Sequence, residues 1–139
     1  MNNESINKLI LIQENIKKLN IKNDNSTQVI CVSKTFPLSK ISPLINYGHY
    51  HFGENKVQEA VSKWSKIKEN KQNIKLHMIG RLQTNKVKKA VQIFDFIHSV
   101  DSKKLADSLK KRETEINKKL SYFIQINLGN EYQKGGISK

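Results

Sequence analysis

Residues 28–33 read QVICVS, a run rich in β-branched side chains, and the next residue is a lysine, Lys34. A short apolar run bounded by polar segments is typical of a strand buried on both faces of a parallel sheet. The segment VSKTFPLSK at 32–40 contains no glycine. Because a Rossmann dinucleotide site needs a glycine-rich loop after its first strand, the sequence argues against such a site.

Helical and strand-like patterns alternate along the chain. We predict helices over 5–19, 39–47, 54–69, 84–92 and 102–118, and strands over 28–33, 49–52, 74–80, 94–100 and 120–128. Five strands separated by helices imply a parallel sheet, which is either open and doubly wound or part of an eight-stranded (β/α) barrel. Both architectures place functional side chains at the carboxyl ends of the strands.

Individual residues are predicted to limit or anchor these helices. Ser39 is expected to cap the second helix, with Pro43 in its first turn and Gly48 at its end. Asp101 or Ser102 is expected to cap the last helix. The third helix carries an apolar stripe that we interpret as core, formed by Val57, Ala60, Val61, Trp64 and Ile67.

Length and composition indicate a single domain. The 139 residues, 37% of them hydrophobic, are enough for one modest core, so we predict one domain over 1–139. No apolar run approaches the roughly twenty residues of a membrane span, and the start MNNESINKLI lacks a signal pattern. We therefore expect a soluble, cytoplasmic protein. The single cysteine, Cys31, is interpreted as a small buried hydrophobe.

The chain is strongly basic, with 25 Lys and Arg against 12 Asp and Glu, a formal net charge of +13. Such a charge raises the possibility of a nucleic-acid partner. Only Arg81 and Arg112 are arginines, however, and the lysines are spread over nearly every segment. Phosphate and base recognition favours arginine, so we interpret the charge as solvated helix faces and keep a nucleic-acid-binding module as a minor alternative.

Polar side chains stand at the end of every predicted strand. The first strand ends at Lys34, and the others end at FGEN, HMIG, HSVD and QIN. A lysine bordered by an apolar strand and shielded from water has its charged form disfavoured, which frees its amine as a nucleophile. A free amine is what a Schiff base with an aldehyde requires. The alternative is a lysine that simply extends from a strand end into solvent.

Five sequence runs together resemble one known family. They are VSKTFP at 32–37, HFGENKVQE at 51–59, HMIGRLQTNKVK at 77–88, IHSVDSKKLA at 97–106 and IQINLGNEYQKGGI at 124–137. In this order they resemble the pyridoxal 5′-phosphate homeostasis family, known as YggS or PROSC. The resemblance implies a fold like the N-terminal barrel of alanine racemase, with pyridoxal phosphate held as a Schiff base on a lysine of the first strand. By position that lysine is Lys34.

The resemblance also implies further cofactor-binding residues. Asn55, His77 and Met78 lie on the matching runs, and Asn55 or His77 is a candidate to hydrogen-bond the ring oxygen or pack on the ring. The alternatives are a helix cap for Asn55, a core histidine for His77 and plain core for Met78. Lys134 is a candidate second amine near the site, or an ordinary solvated lysine.

The sequence departs from the family in two loops and in length. Arg81 stands where the family commonly has proline, and Phe36 where it often has a basic residue. A complete barrel needs about 250 residues, and the family's phosphate-binding loops come from late strands. We therefore expect residues 1–139 to be the N-terminal part of a single (β/α)-barrel domain that binds pyridoxal phosphate, with about five of its eight strands. We also expect two bare edge strands, exposed apolar side chains, and weak or no pyridoxal phosphate binding by these 139 residues alone.

The implied function is buffering of pyridoxal phosphate and its delivery to apo-enzymes, without catalysis, by a protein that is a monomer at full length. A racemase-like remnant is the enzymatic alternative, although the racemase also takes a tyrosine from a β-rich domain that this sequence lacks. No metal site is predicted. The four histidines lie on three predicted strands without the spacing of helical metal ligands, at His49, His51, His77 and His98.

Overall fold

A computed structural model of the chain describes residues 3–19, 27–129, 131 and 133–138. Its helices are α1 (Glu4–Leu19), α2 (Leu38–Asn46), α3 (Val57–Asn70), α4 (Val87–Ile93) and α5 (Lys103–Ile116), with a 3-10 turn at Thr84–Lys86. Its strands are β1 (Cys31–Val32), β2 (His51–Glu54), β3 (Lys75–Met78), β4 (Phe96–Val100), β5 (Ser121–Ile124), β6 (Ile126–Asn127) and β7 (Ile137–Ser138). No helix within these residues is long and apolar enough to cross a membrane.

Strands β1 to β5 form one parallel sheet in the order of the sequence. A helix joins each strand to the next, as the alternating pattern predicts. The predicted strand over 120–128 is divided at Gln125. The Gln125 N–H donates to the Val100 carbonyl at 2.9 Å, whereas the Gln125 carbonyl accepts from the Ile137 N–H at 2.8 Å. The strand therefore changes neighbours there, from β4 to β7.

The core lies between the sheet and its helices. Phe52, Leu76 and Ile97 point from neighbouring strands into this layer and are fully buried. The stripe predicted on α3 is confirmed, since Val57, Ala60 and Trp64 are buried and Val61 and Ile67 pack against the same cluster. Burying this face of the sheet against helices provides the main stabilisation of the parallel strands.

The outer strands of the sheet are exposed. Strands β1 and β5 lie at its two edges, and Val32 is 49% exposed, Phe123 49% and Ile124 66%. The expectation of bare edge strands is confirmed. The expectation that the first strand is buried on both faces is wrong, because Cys31 packs against the core whereas Val32, on the opposite face, is exposed.

The second helix differs from its prediction in two places. It begins at Leu38 after Pro37, whose φ of −69° already suits a helix start, so Ser39 lies inside the helix and does not cap it. Pro43 lies in the interior of α2 and not in its first turn. Gly48, with φ +99°, follows the helix as predicted. At the last helix, Ser102 is the cap, and its Oγ accepts from the Leu105 N–H at 3.3 Å.

Candidate functional site

Lys34 leaves the sheet at the carboxyl end of β1. Ser33 still pairs with the second strand, because its N–H donates to the Gly53 carbonyl at 2.9 Å. Lys34 begins the turn that follows, and Thr35 adopts φ +64°, in the left-handed region that β-branched residues rarely enter. The predicted position of Lys34 at a strand end is found. Its predicted shielding is not, because the residue is exposed next to an edge strand.

A buried carboxylate lies directly behind Lys34. Glu54, the last residue of β2, is fully buried. Its Oε1 accepts from the Ser33 hydroxyl at 2.8 Å, from Lys63 Nζ at 3.0 Å and from the Trp64 indole N–H at 2.9 Å. The resemblance named the motif containing Glu54 but gave this residue no role. A charged residue at the end of a buried strand, nine residues before a lysine on the next helix, is the signal that points to such a pair.

Asn55 follows β2, at the same carboxyl end of the sheet as Lys34. It is not the helix cap, because α3 begins two residues later, at Val57, and Lys56 occupies the cap position. Its side-chain Oδ1 is buried and has no hydrogen-bond partner among the described residues. A buried acceptor without a donor destabilises the fold by about 1–3 kcal/mol, so such atoms commonly mark a ligand or water position.

The loop after β3 closes tightly over Asn55. A Cβ on Gly80 would lie 2.4 Å from the Asn55 carbonyl oxygen, so only glycine allows this approach. The Gly80 carbonyl in turn accepts from the Ser99 hydroxyl at 2.7 Å. The ends of β2, β3 and β4 are therefore held together around Asn55 by the close approach of Gly80 and by the hydrogen bond from the Ser99 hydroxyl.

His77 lies lower in the sheet than Asn55, in register with Gly53. Its Nε2 is 2.8 Å from His51 Nδ1, and its Nδ1 is 2.9 Å from His98 Nε2. Its ring stacks on Phe96 with centroids 4.2 Å apart and planes 6° apart. Burial, reinforced by the neighbouring imidazoles, lowers the pKa of His77 to about 4. Both ring nitrogens are thus already occupied, as in the alternative of a core histidine.

The sequence analysis does not predict that the imidazoles of His51, His77 and His98 are connected by hydrogen bonds. They project from successive strands on the face opposite the helices. The one available signal was their place on neighbouring predicted strands. Within the described residues, no cluster of three or more His, Cys, Asp or Glu has a metal-binding arrangement.

Met78 is packed in the core and is 1% exposed. Alternation along β3 places its side chain on the helical side of the sheet, opposite His77. The structure therefore places Lys34 and Asn55 at the carboxyl ends of neighbouring strands. Met78 and His77 lie on opposite faces of β3. The cofactor-binding roles of all four residues stay predictions.

Two other residues considered in the sequence analysis, Arg81 and Lys134, are exposed. Arg81 Nε lies 3.5 Å from Asp101 Oδ2, in an ion pair near the third loop. Lys134 Nζ donates to Glu131 Oε1 at 2.8 Å and is exposed. Gln125 Nε2 donates to the Gly135 carbonyl at 3.0 Å, which holds the last loop against the sheet.

Comparison with known proteins assigns this architecture to a family. Residues 8–139 match the family described as "Alanine racemase, N-terminal domain". The chain belongs to this family. The predicted fold, a parallel (β/α)-barrel-type sheet of which five strands are present, is confirmed by this match and by the observed strand order.

Individual proteins similar to this chain confirm the resemblance seen in the motifs. A Haemophilus influenzae protein named "Pyridoxal phosphate homeostasis protein" is 37% identical over 93% of this chain and 56% of its own length. PipY of Synechococcus elongatus, solved without pyridoxal phosphate, gives a TM-score of 0.76 at 37% identity, covering 91% of this chain and 58% of PipY. With pyridoxal phosphate bound, PipY gives 0.73 at 36% identity, with 91% and 57% covered. The chain spans a little over half the length of these relatives.

Proposed function

We propose that the chain binds pyridoxal phosphate and serves its homeostasis, with the Nζ of Lys34 as the amine that condenses with the cofactor aldehyde. The observation that carries this proposal is that Lys34 and Asn55 follow the neighbouring strands β1 and β2 at the same end of the sheet, and that Asn55 Oδ1 has no partner among the described residues. The names of the curated relatives and the cofactor in PipY support it.

The residues at this edge fit the cofactor. Lys34 supplies an accessible amine, and Asn55 supplies a buried acceptor for a polar hydrogen. The Gly80 backbone packs directly against Asn55 and so holds it in place. When bound, pyridoxal phosphate supplies an aldehyde that amines can attack. His77 and Met78 are proposed to support the floor of the site by packing.

The exposure of Lys34 affects the expected affinity. Water reaches an exposed lysine, and a bond to the aldehyde that water can reach is hydrolysed more readily than one in a closed site. We therefore expect these 139 residues to bind the cofactor more weakly than the longer relatives. Neither phosphate contacts nor shielding of the amine are provided by the described residues around Lys34.

We further propose that the protein carries the cofactor without turnover, because the curated relatives are named for homeostasis and not for a reaction. A cytoplasmic location and pyridoxal-phosphate-dependent apo-enzymes as partners are part of this proposal. Incubation with L-alanine and the cofactor should leave the enantiomer unchanged. Formation of D-alanine above the rate of free cofactor would contradict this assignment and favour a racemase.

Reductive labelling tests the site directly. The purified chain is incubated with pyridoxal phosphate and reduced with borohydride, and the labelled lysines are identified by peptide mass spectrometry. We expect Lys34 to carry the highest label, and Asn55→Leu to lower the labelling at Lys34. Lys40, an exposed lysine on α2, is the internal control. Equal labelling of Lys34 and Lys40 would refute the proposed site.

A further inference from the structure

Lys63, on α3, is the centre of a buried network beneath the candidate site. Its Nζ donates to three acceptors: the Ser33 carbonyl at 2.8 Å, Glu59 Oε1 at 2.9 Å and Glu54 Oε1 at 3.0 Å. An ammonium has three protons, so all of them are used. The Lys63 side chain is only 9% exposed, so this network is part of the protein interior.

The network reaches the residue that precedes Lys34. Ser33 accepts from Lys63 through its carbonyl, and its hydroxyl donates to Glu54 Oε1 at 2.8 Å. Its N–H donates to the Gly53 carbonyl. Every backbone and side-chain polar group of Ser33 is therefore engaged, which leaves its position little freedom.

The network also reaches the residue that follows Lys34. The Thr35 N–H donates to Glu59 Oε1 at 2.8 Å, the same oxygen that accepts from Lys63. Thr35 has φ +64°, which is unfavourable for a β-branched residue and persists only where the surroundings hold it. Glu59, on α3, accepts from the Thr35 N–H and so holds Thr35 in this conformation.

Charge explains why a lysine lies at the centre. Burial lowers the pKa of Lys63, but the hydrogen bonds and charges of Glu59 and Glu54 outweigh it, and the net pKa is raised. The hydrogen bond from Lys63 lowers the pKa of Glu59. Without Lys63, the fully buried Glu54 would lose its cation, and a buried charge without a partner is strongly destabilising.

We propose that Lys63 and Glu59 are positioning residues. They hold the backbone on both sides of Lys34 and so orient its amine at the carboxyl end of the sheet. This inference rests on the proposed function of Lys34. Lys63 itself is turned away from the amine, since all its protons point to Ser33, Glu54 and Glu59. A compact ammonium meets three acceptors in different directions, which a planar guanidinium does not.

The decisive variant is Glu59→Ala. The Glu59 side chain is 28% exposed, so its removal takes away the Thr35 contact while Lys63 keeps Glu54 and Ser33. We expect the label ratio of Lys34 to Lys40 to fall at least about tenfold, because small displacements of a reacting group are costly. Glu59→Gln, which keeps an acceptor oxygen for Thr35, should restore most of the ratio.

Controls separate positioning from folding. Lys66→Met removes an exposed lysine from the same helix and should leave the ratio unchanged. Far-UV circular dichroism confirms that each variant is folded before it is labelled. Amide hydrogen exchange at Thr35, measured without cofactor, should accelerate in Glu59→Ala and not in Lys66→Met.

The outcomes distinguish this inference from the proposed function. Selective labelling of Lys34 in the wild type, with an unchanged ratio in folded Glu59→Ala, would overturn the positioning role alone. Unchanged exchange at Thr35 would overturn it as well, since the contact would then not restrain the turn. A wild type that shows no preference for Lys34 would overturn the proposed function and, with it, this inference.

Discussion

Acidification should destabilise the protein through His77. Burial and the neighbouring imidazoles lower the pKa of this histidine from 6.5 to about 4. The unfolded chain therefore binds the proton more tightly, and the stability that the neutral ring provides is complete above pH 6.5 and is lost as the pH falls toward 4. At about 1.4 kcal/mol per pKa unit, the loss between pH 7.5 and 4.5 is about 2.5 kcal/mol.

The hydrogen bonds of His77 explain why its protonation lowers the free energy of unfolding. With both nitrogens protonated, His77 needs an acceptor on each side, so both His51 and His98 must present a bare nitrogen. A second proton on either neighbour then removes an acceptor and adds like-charge repulsion. Asp95 offsets this repulsion in part, whereas Lys75 adds to it at His51.

Urea unfolding followed by far-UV circular dichroism at pH 7.5, 6.0 and 4.5 measures the effect. His77→Gln is the comparison, because its amide can donate and accept but does not titrate. The difference in the free energy of unfolding between wild type and variant at pH 7.5 gives the cost of the substitution itself. The wild type should then lose about 2.5 kcal/mol more than the variant on going to pH 4.5. Parallel losses in the two proteins would show that the imidazole is not kept neutral by its surroundings.

Two substitutions test the local geometry. Gly80→Ala should destabilise the fold by about 1–3 kcal/mol in urea unfolding, because its Cβ would meet the Asn55 carbonyl at 2.4 Å. Gly129→Ala is the control, since its Cβ meets only the flexible end of a side chain, and an equal effect of both changes would contradict the close approach. Ser102→Ala should cost about 1 kcal/mol by removing the cap on the Leu105 N–H. Ser102→Asn should cost much less, and equal losses would exclude a capping role.

The prediction of the helices worked best where one face is clearly apolar. On α3, the stripe that includes Trp64 identified the buried face, because helical periodicity depends only on neighbouring residues. The boundaries were less accurate. Glu54 was assigned to the helix, but pairing with Met78 keeps it in β2. That pairing joins segments distant in sequence, so local patterns do not report it.

The candidate site was predicted in part. Functional side chains of parallel sheets lie at the carboxyl ends of the strands, and this rule predicts that Lys34 and Asn55 lie at the same end of the sheet. Both residues are found there. The rule did not predict that Lys34 is exposed, because exposure depends on which strand lies beside β1. It also missed Lys63, whose role depends on the direction in which a helix side chain crosses to the end of a strand.

The succession of strands and helices, the parallel sheet and the family can all be inferred from the amino-acid sequence. Periodicity and short motifs act over a few neighbouring residues, and connection rules then limit the topology. Which distant side chains come into contact cannot be inferred in this way and is seen only in the folded protein. The imidazole row from His51 to His98 and the ammonium of Lys63 between two carboxylates both depend on register and packing across the sheet, and these are set by the burial of the whole core.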